Sequence, residues 1–229
     1  MKKNVYQVLI GLLVFMAMGV YADTASQWRM PAGKTLSLSY RDTQHVLLAM
    51  GQGNQVLVSG KDSYLITAQG GQTMAVNMTE MGGALDMFSS LMMPGAEQMD
   101  RFKGAQVRFK KTGRQETIAG FSGDVYQMTV TTQRGVEQHE IVVSNHPDVV
   151  ALQTIFLELG QRAAKVMPTN QLFETMNYFS RQAEQAHIGG VLRYGNDMVL
   201  QRLEKKKLPA DAFMLPAGVT QVSLPTFQQ

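Results

Sequence analysis

The chain has 229 residues, a formal net charge of +3 and no cysteine. The absence of cysteine excludes disulfides, thiolate zinc sites and thiol catalysis. Its longest basic run is the "EKKK" at 204–207, and so little clustering of positive charge argues against a nucleic-acid-binding protein. A chain of this length can bury one sizeable core, and we expect a single domain over residues 23–229.

Residues 1–22 have the pattern of a signal peptide. Two lysines precede an apolar stretch at 8–18, which is too short to span a bilayer comfortably. The small residues around Tyr21 predict cleavage between Ala22 and Asp23, and no cysteine follows to direct lipidation. We therefore expect export to the periplasm and no stable transmembrane segment after cleavage. The alternative is an uncleaved membrane anchor. Cleavage removes two lysines and leaves 207 residues (229 minus 22) with 19 basic and 18 acidic side chains.

Residues 34–78 alternate between apolar and polar positions, as antiparallel strands with one buried face do. Short segments rich in Gly, Asn and Asp separate the runs. Two of these segments, "GQGN" at 51–54 and "SGKD" at 59–62, are typical of hairpin turns. The pattern predicts a meander of antiparallel strands.

A helical period follows at 80–95, where apolar residues are spaced three and four apart. Gly82 and Gly83 weaken the helix, and Pro94 ends it. The apolar stripe consists of Met81, Ala84, Leu85, Phe88, Leu91 and Met92. We expect a short, loosely held helix here.

Strand patterns resume at 106 and continue to 144. We expect hairpin turns at Thr112-Gly113 and at 120–123, on either side of a strand "RQETIA", and another turn at 133–135. Pro147 opens a helix, and a second helical pattern runs from about 170 to Gly189-Gly190. The tail returns to strand character. This order predicts an α+β fold, an antiparallel sheet with a few helices.

The stretch "KKTGRQETIAGFSGDVY" at 110–126 is the best catalytic lead, but its spacing does not fit. A nucleophile elbow needs a glycine two residues after Ser122, and Asp124 stands there. Strand alternation puts Glu137 and His139 on one face and Glu140 on the other, which is no zinc site. We predict no catalytic residue, metal site or cofactor, and leave open whether carboxylates between 80 and 124 converge in space.

Methionine is the unusual feature, with 17 residues, of which seven lie between Met74 and Met99. One interpretation is a flexible apolar lid, since methionine suits surfaces that accept variable apolar ligands. A second is a Cu(I) site built from thioethers, and a third is plain core packing. The candidate ligand contacts are Met78, Met81, Leu85, Phe88, Leu91, Met92 and Met93.

The stretch at 110–126 also carries a resemblance, together with "GVLRYGNDMVLQRLE" at 190–204 and the tail "LPADAFMLPAGVTQV" at 208–222. In this order the three resemble an uncharacterised family of exported bacterial domains of unknown function, which is similar to the Lol lipoprotein carriers. The matching positions are Thr112, Gly113, Thr117 to Phe121, Tyr126, Phe213, Leu215, Pro216 and Gly218.

The resemblance covers about two-thirds of the mature chain and implies a LolA-like fold, a half-barrel of curved antiparallel sheet covered by helices. In the carriers that hollow shelters acyl chains. The family has no agreed catalytic residues to transfer. Its members often carry a cysteine at about the position of Gly123, so no thiol or disulfide role is implied for this chain.

We therefore expect a periplasmic, non-enzymatic protein that binds a hydrophobic ligand in a concave sheet. The ligand would be a lipid, an acyl chain or an apolar protein segment. Two alternatives stay open, a Met-rich Cu(I)-binding protein and an envelope interaction module without a small ligand. The sequence does not distinguish a monomer from an oligomer.

Overall fold

The computed structural model describes residues 22–51, 53–69, 71–78, 105–133, 135–166 and 181–222. In chain order the strands are β1 (Asp23–Arg29), β2 (Thr35–Asp42), β3 (His45–Ala49), β4 (Gln55–Ser59), β5 (Asp62–Gln69), β6 (Gln72–Asn77), β7 (Gln106–Ile118), β8 (Phe121–Thr132), β9 (Gly135–Ser144), β10 (Gly190–Tyr194), β11 (Met198–Lys206) and β12 (Thr220–Val222). They form one open sheet of 12 strands in the order β12-β6-β5-β4-β3-β2-β1-β11-β10-β9-β8-β7.

The sheet is antiparallel throughout, except that β12 pairs with β6 in parallel. Register shifts interrupt the pairs β1–β11, β2–β3, β7–β8 and β9–β10. Such shifts bend strands and increase their twist, and the sheet is accordingly curved. The predicted α+β class with a curved antiparallel sheet is confirmed at this level; the LolA-like half-barrel stays a prediction.

Helices are few in the described part of the chain. Helix α1 (Pro147–Val166) begins at the predicted proline, and the backbone N–H groups of Val149 and Val150 donate to the His146 carbonyl. A 3-10 turn covers Pro31–Gly33, and residues 181–185 are helical. No helix among the described residues is long and apolar enough to cross a membrane.

Strands β2 to β6 confirm the predicted meander, but β1 was not predicted. Its inward positions include Thr24 and Ser26, which are buried polar residues. Because polar side chains occupy inward positions, the apolar alternation that marks a strand is hidden there. Its position between β2 and β11 buries it, and the Ser26 hydroxyl donates to the Leu38 carbonyl at 3.4 Å.

The predicted turn at Thr112-Gly113 is wrong. Strand β7 continues through it, with a register shift between Lys111 and Gln115. Gly113 has φ +84°, which serves a bulge rather than a chain reversal. The Thr112 hydroxyl donates to the Val125 carbonyl at 2.8 Å, so a side chain from the bulge still ties β7 to β8.

The second predicted turn, at 120–123, is shorter than expected. Ala119 and Gly120 form the whole reversal, with φ +51° and +85°, and Ile118 pairs with Phe121. Positive φ at both central residues is the requirement of the tight hairpin turn whose twist matches the strands. Gly123 therefore lies inside β8, opposite Glu116.

Gly123 is required by close packing. A Cβ at this position would lie 2.7 Å from Val142 Cγ1 on β9 and 2.9 Å from Leu192 Cδ1 on β10. Any side chain would force those two core residues to move. In this chain, position 123 therefore cannot hold the cysteine that is common in the family it resembles unless the core rearranges.

The later turns and the tail also differ from the predictions. The helical residues 181–185 are followed by a turn in which His187 has φ +52°. The Ile188 backbone N–H then donates to the Ala183 carbonyl and closes the end of the helix. The stop is therefore His187 and not the Gly189-Gly190 pair, where a Cβ would overlap the carbonyls of Ser144 and Val149. Residues 167–180, the start of the predicted second helix, lie outside the described residues. The tail is mostly irregular, and only β12 is a strand.

Both faces of the sheet carry buried apolar residues, which form three clusters within the described part of the chain. The inner face, defined by Trp28, is covered by α1 through Val149, Leu152 and Ile155. On the outer face of β3 to β6, the tail residue Phe213 packs on Leu57, Ile66 and Ala75. The outer face of β7 to β10 forms a third cluster of Ala105, Val107, Met128, Val130, Ile141 and Val143.

Asp23 ties the start of β1 to the tail. Its carboxylate is buried and accepts hydrogen bonds from Arg41 Nε at 2.8 Å and from the Leu208 backbone N–H at 3.0 Å. Burial opposes ionisation, but the Arg41 and Leu208 hydrogen bonds outweigh it and hold the pKa of Asp23 below its usual value. The Arg41 guanidinium also lies over the Phe213 ring, 5.3 Å from its centroid.

Asp23→Asn should lower the free energy of unfolding by about 1–2 kcal/mol at pH 7, because the amide keeps the shape but loses the charge that faces Arg41. The folded-state pKa lies below the unfolded value. The advantage of the wild type should therefore be complete above about pH 4 and disappear as the pH falls through the folded-state pKa. Urea unfolding at a series of pH values, followed by circular dichroism, measures this. The exposed Asp197→Asn is the control, and a difference that stays constant down to pH 2 would contradict the assignment.

Gly123→Ala should destabilise the fold by about 1–3 kcal/mol, because the added methyl group overpacks the site against Val142 and Leu192. The neighbouring Ser122→Ala, on the exposed side of the same strand, should stay within about 0.5 kcal/mol of the wild type. Urea denaturation of both variants checks this, and an unchanged midpoint for Gly123→Ala would show that the packing relaxes at no cost.

Candidate functional site

Of the seven predicted ligand contacts, Met78 is the one that lies among the described residues. This side chain is 4% exposed and belongs to the inner-face cluster. The other six candidates, Met81, Leu85, Phe88, Leu91, Met92 and Met93, lie outside the described residues, as does the signal peptide before Ala22. A ligand site or a Cu(I) site on the Met-rich stretch stays a prediction.

The histidines are dispersed. His139 lies 3.4 Å from a Glu137 carboxylate oxygen and stacks on Tyr194, with ring centroids 5.1 Å apart, while Glu140 bonds on the other face. The predicted division of these three residues between strand faces is confirmed. Within the described ranges, no three His, Asp or Glu side chains group closely enough to hold a metal ion.

Two carboxylates do converge, on Arg193. A bulge in β10 between Val191 and Arg193 places Arg193 opposite Val142 of the inner face. Its Nη2 donates to Glu116 of β7 at 2.9 Å and to Glu140 of β9 at 2.6 Å. Arg114, in the β7 bulge, also pairs with Glu140. We call these four residues the Arg193 clasp.

The electrostatics of the Arg193 clasp favour an ion-pair network over an acid–base pair. Hydrogen bonds from Arg193 and then Arg114 hold the pKa of Glu140 below its usual value. Burial works against the charge of Arg193, but its two glutamate partners outweigh that and raise its pKa. A general acid active at neutral pH needs its carboxyl pKa raised instead. The Arg193 clasp is therefore better suited to holding strands β7, β9 and β10 together than to transferring protons.

An apolar cleft of about 650 Å³ opens between the sheet and α1. We call it the α1 cleft. Its floor is the outer face of β7 to β9, one wall is α1, and the other is the segment 183–194 with β10. The lining residues are Phe109, Met128, Ile141, Val150, Gln153, Thr154, Leu157, Ala183, Glu184, Ile188, Gly189, Gly190, Val191 and Tyr194.

The α1 cleft arises because different sides of α1 face the inner core and the cleft. Its residues Val149, Leu152 and Ile155 enter the inner core, while Val150 and Leu157 line the cleft. The helix approaches β10 so closely that only glycine fits at position 190. There the Val191 backbone N–H donates to Gln153 Oε1, at 3.5 Å.

Sequence reasoning did not find the α1 cleft, although a signal was present. Val149, Leu152 and Phe156 are spaced three and four residues apart in the sequence, and they pack in the inner core. Val150 and Leu157 form a second apolar row seven residues apart on another side of the same helix. Val150 is 40% exposed, one of the few large apolar side chains exposed to this degree in the described ranges.

A smaller hollow of about 260 Å³ lies on the outer face of the other half of the sheet. Leu47, Leu57 and Ile66 form its floor, and the tail residues Met214 and Leu215 form its rim. This volume is below the range of about 300–1,000 Å³ that small-molecule sites occupy. The α1 cleft is the better candidate.

Arg193→Met should destabilise the protein by about 1–3 kcal/mol, because it leaves Glu116 and Glu140 facing each other without a shared cation. The loss should be below that of a fully buried pair, since both glutamates are about one-third exposed. Adding Glu116→Gln and Glu140→Gln to Arg193→Met should recover part of the loss. Urea unfolding of the wild type, Arg193→Met and the triple variant tests this. A loss of stability in the triple variant at least as large as that of Arg193→Met would contradict a clasp.

Comparison with known protein families and curated proteins gives no match. The chain matches no protein-family model, and no curated protein is significantly similar to it. The likeness to the Lol carriers therefore stays a resemblance carried by the motifs at 110–126, 190–204 and 208–222. What the protein binds has to be inferred from the described residues and the cleft that they form.

Proposed function

We propose that the protein is a periplasmic, non-enzymatic binding protein for a hydrophobic ligand, a lipid, an acyl chain or an apolar protein segment. The ligand lies in the α1 cleft. The observation that carries the proposal is a cleft of about 650 Å³ whose floor and walls are predominantly aliphatic and aromatic. Volume and lining both fall within the usual range of small-molecule sites.

The energetics of the α1 cleft fit an acyl chain. Burying methylene groups contributes about 0.8 kcal/mol each, so that eight of them would contribute about 6 kcal/mol before the cost of ordering the chain. Val150, Leu157 and Ile188 supply aliphatic surface, and Phe109 and Tyr194 supply flat aromatic surface. A ligand would also cover Val150, which is 40% exposed without one.

The resemblance to the Lol carriers supports the same class of ligand by analogy, since fold alone does not define function. The location differs from the one we expected from the sequence. The cleft formed by the described residues lies beside α1 and on the outer face of β7 to β10. The Met-rich stretch stays a second candidate for contact with ligand.

Val150→Trp should fill the α1 cleft and reduce ligand affinity at least tenfold, since the indole occupies the space of several methylene groups. Val136→Trp is the matched control. Val136 is 62% exposed on β9 and does not line the cleft. Binding of the apolar dye N-phenyl-1-naphthylamine, followed by its fluorescence, measures both variants, and circular dichroism verifies their folding.

Native mass spectrometry of protein extracted from periplasm provides an independent measurement. Bound lipid that is present in the wild type and absent from Val150→Trp supports the proposal. A wild-type protein that carries no lipid and takes up no dye would overturn it. Equal dye affinity in the wild type and Val150→Trp would place binding elsewhere.

A further inference from the structure

The described lining of the α1 cleft carries charge at one position. Of the 14 described residues that line it, Glu184 alone is charged at neutral pH. The other polar groups among them are the side chains of Gln153, Thr154 and Tyr194, which are neutral. These 14 residues include no lysine, arginine or histidine, and this distribution bears on the head group of any amphiphile bound there.

The Glu184 carboxylate is not neutralised within the described part of the chain. It is exposed and forms no salt bridge there, not even with Arg181 three residues earlier on the same helical turn. Lys111, which follows Phe109 on the same face of β7, is already bound by Asp124 at 2.7 Å. The mouth of the cleft therefore presents one uncompensated negative charge beside apolar surface.

We propose that the α1 cleft selects single-chain amphiphiles with a cationic head group and disfavours fatty-acid anions. The inference rests on the proposed function, since it presumes that an apolar chain enters the cleft. The chain lies against Val150, Leu157 and Ile188, and the ammonium head lies at Glu184. Two unit charges about 4 Å apart near a protein surface interact by a few kcal/mol at most, which solvent reduces at an exposed residue.

The net charge of the protein would act in the opposite direction. After the expected cleavage the chain carries 19 basic and 18 acidic side chains, a formal charge of +1, so long-range electrostatics alone would weakly favour an anion. A preference for a cation would therefore have to come from a local group. A preference for the cationic amphiphile over the anionic one would therefore indicate the local charge of Glu184 and not the net charge of the protein.

Three probes with the same dodecyl chain test the inference: dodecyltrimethylammonium, the neutral dodecyldimethylamine oxide at pH 8, and laurate. Each competes with bound N-phenyl-1-naphthylamine below its micellar concentration. The wild type should bind the cation about fivefold to tenfold more tightly than laurate, with the neutral probe between them. In 1 M salt, where the screening length is about 3 Å, most of this difference should disappear.

Glu184→Gln should remove the preference, so that the cation and laurate bind with equal affinity. Asp211→Asn is the matched control, since it removes the same charge from an exposed residue of the tail that does not line the α1 cleft. Equal affinities for the three probes in the wild type, or a cation preference that survives in Glu184→Gln, would overturn the inference while leaving hydrophobic binding intact. Failure of all three probes to bind would overturn the proposed function as well.

Discussion

The burial of one side of helix α1 against the inner face of the sheet is the contact on which the rest of the arrangement depends. Val149, Leu152 and Ile155 enter the core around Trp28, and Phe156 meets the Trp28 ring edge-on at 6.0 Å. These residues determine the rotation of the helix about its axis. Val150 and Leu157 therefore lie on another side of the helix, where they line the α1 cleft. The cleft is therefore a consequence of how the core is packed.

Charged and polar contacts connect distant parts of the chain. Asp23 connects the first strand to the tail, and the Arg193 clasp connects three strands of the opposite half of the sheet. Lys205 bonds Asp148 at 2.8 Å in the first turn of α1, and Arg162 donates to the Gly60 carbonyl near its other end. Each contact joins elements that are distant in sequence, in a chain without cysteine.

The candidate site combines two physical features, an apolar hollow and, at Glu184, a charge that forms no salt bridge within the described residues. Burial of apolar surface contributes affinity but does not orient a ligand. An exposed charge contributes little affinity in water but can select between head groups of opposite charge. An amphiphile meets both conditions. The stretch 110–126, which first suggested a catalytic loop, is instead a bulged hairpin. Its Gly123 lets the sheet pack, and its Glu116 belongs to the Arg193 clasp.

The sequence by itself determined the elements whose period is strong. The strands from 34 to 78, the hairpin of β8 and β9, and the start of α1 at Pro147 could all be predicted, because local alternation and turn chemistry specify them. It did not reveal β1, whose inward positions are partly polar, or the bulge at Gly113, whose positive φ suits a turn equally well. Tertiary structure alone decided that one side of α1 would enter the inner core and another would line the cleft. It also decided that Glu116 would meet Glu140 at Arg193, and that Val150, Leu157 and Glu184 would share a cleft, since these contacts join residues far apart in the chain and depend on packing that no local pattern records.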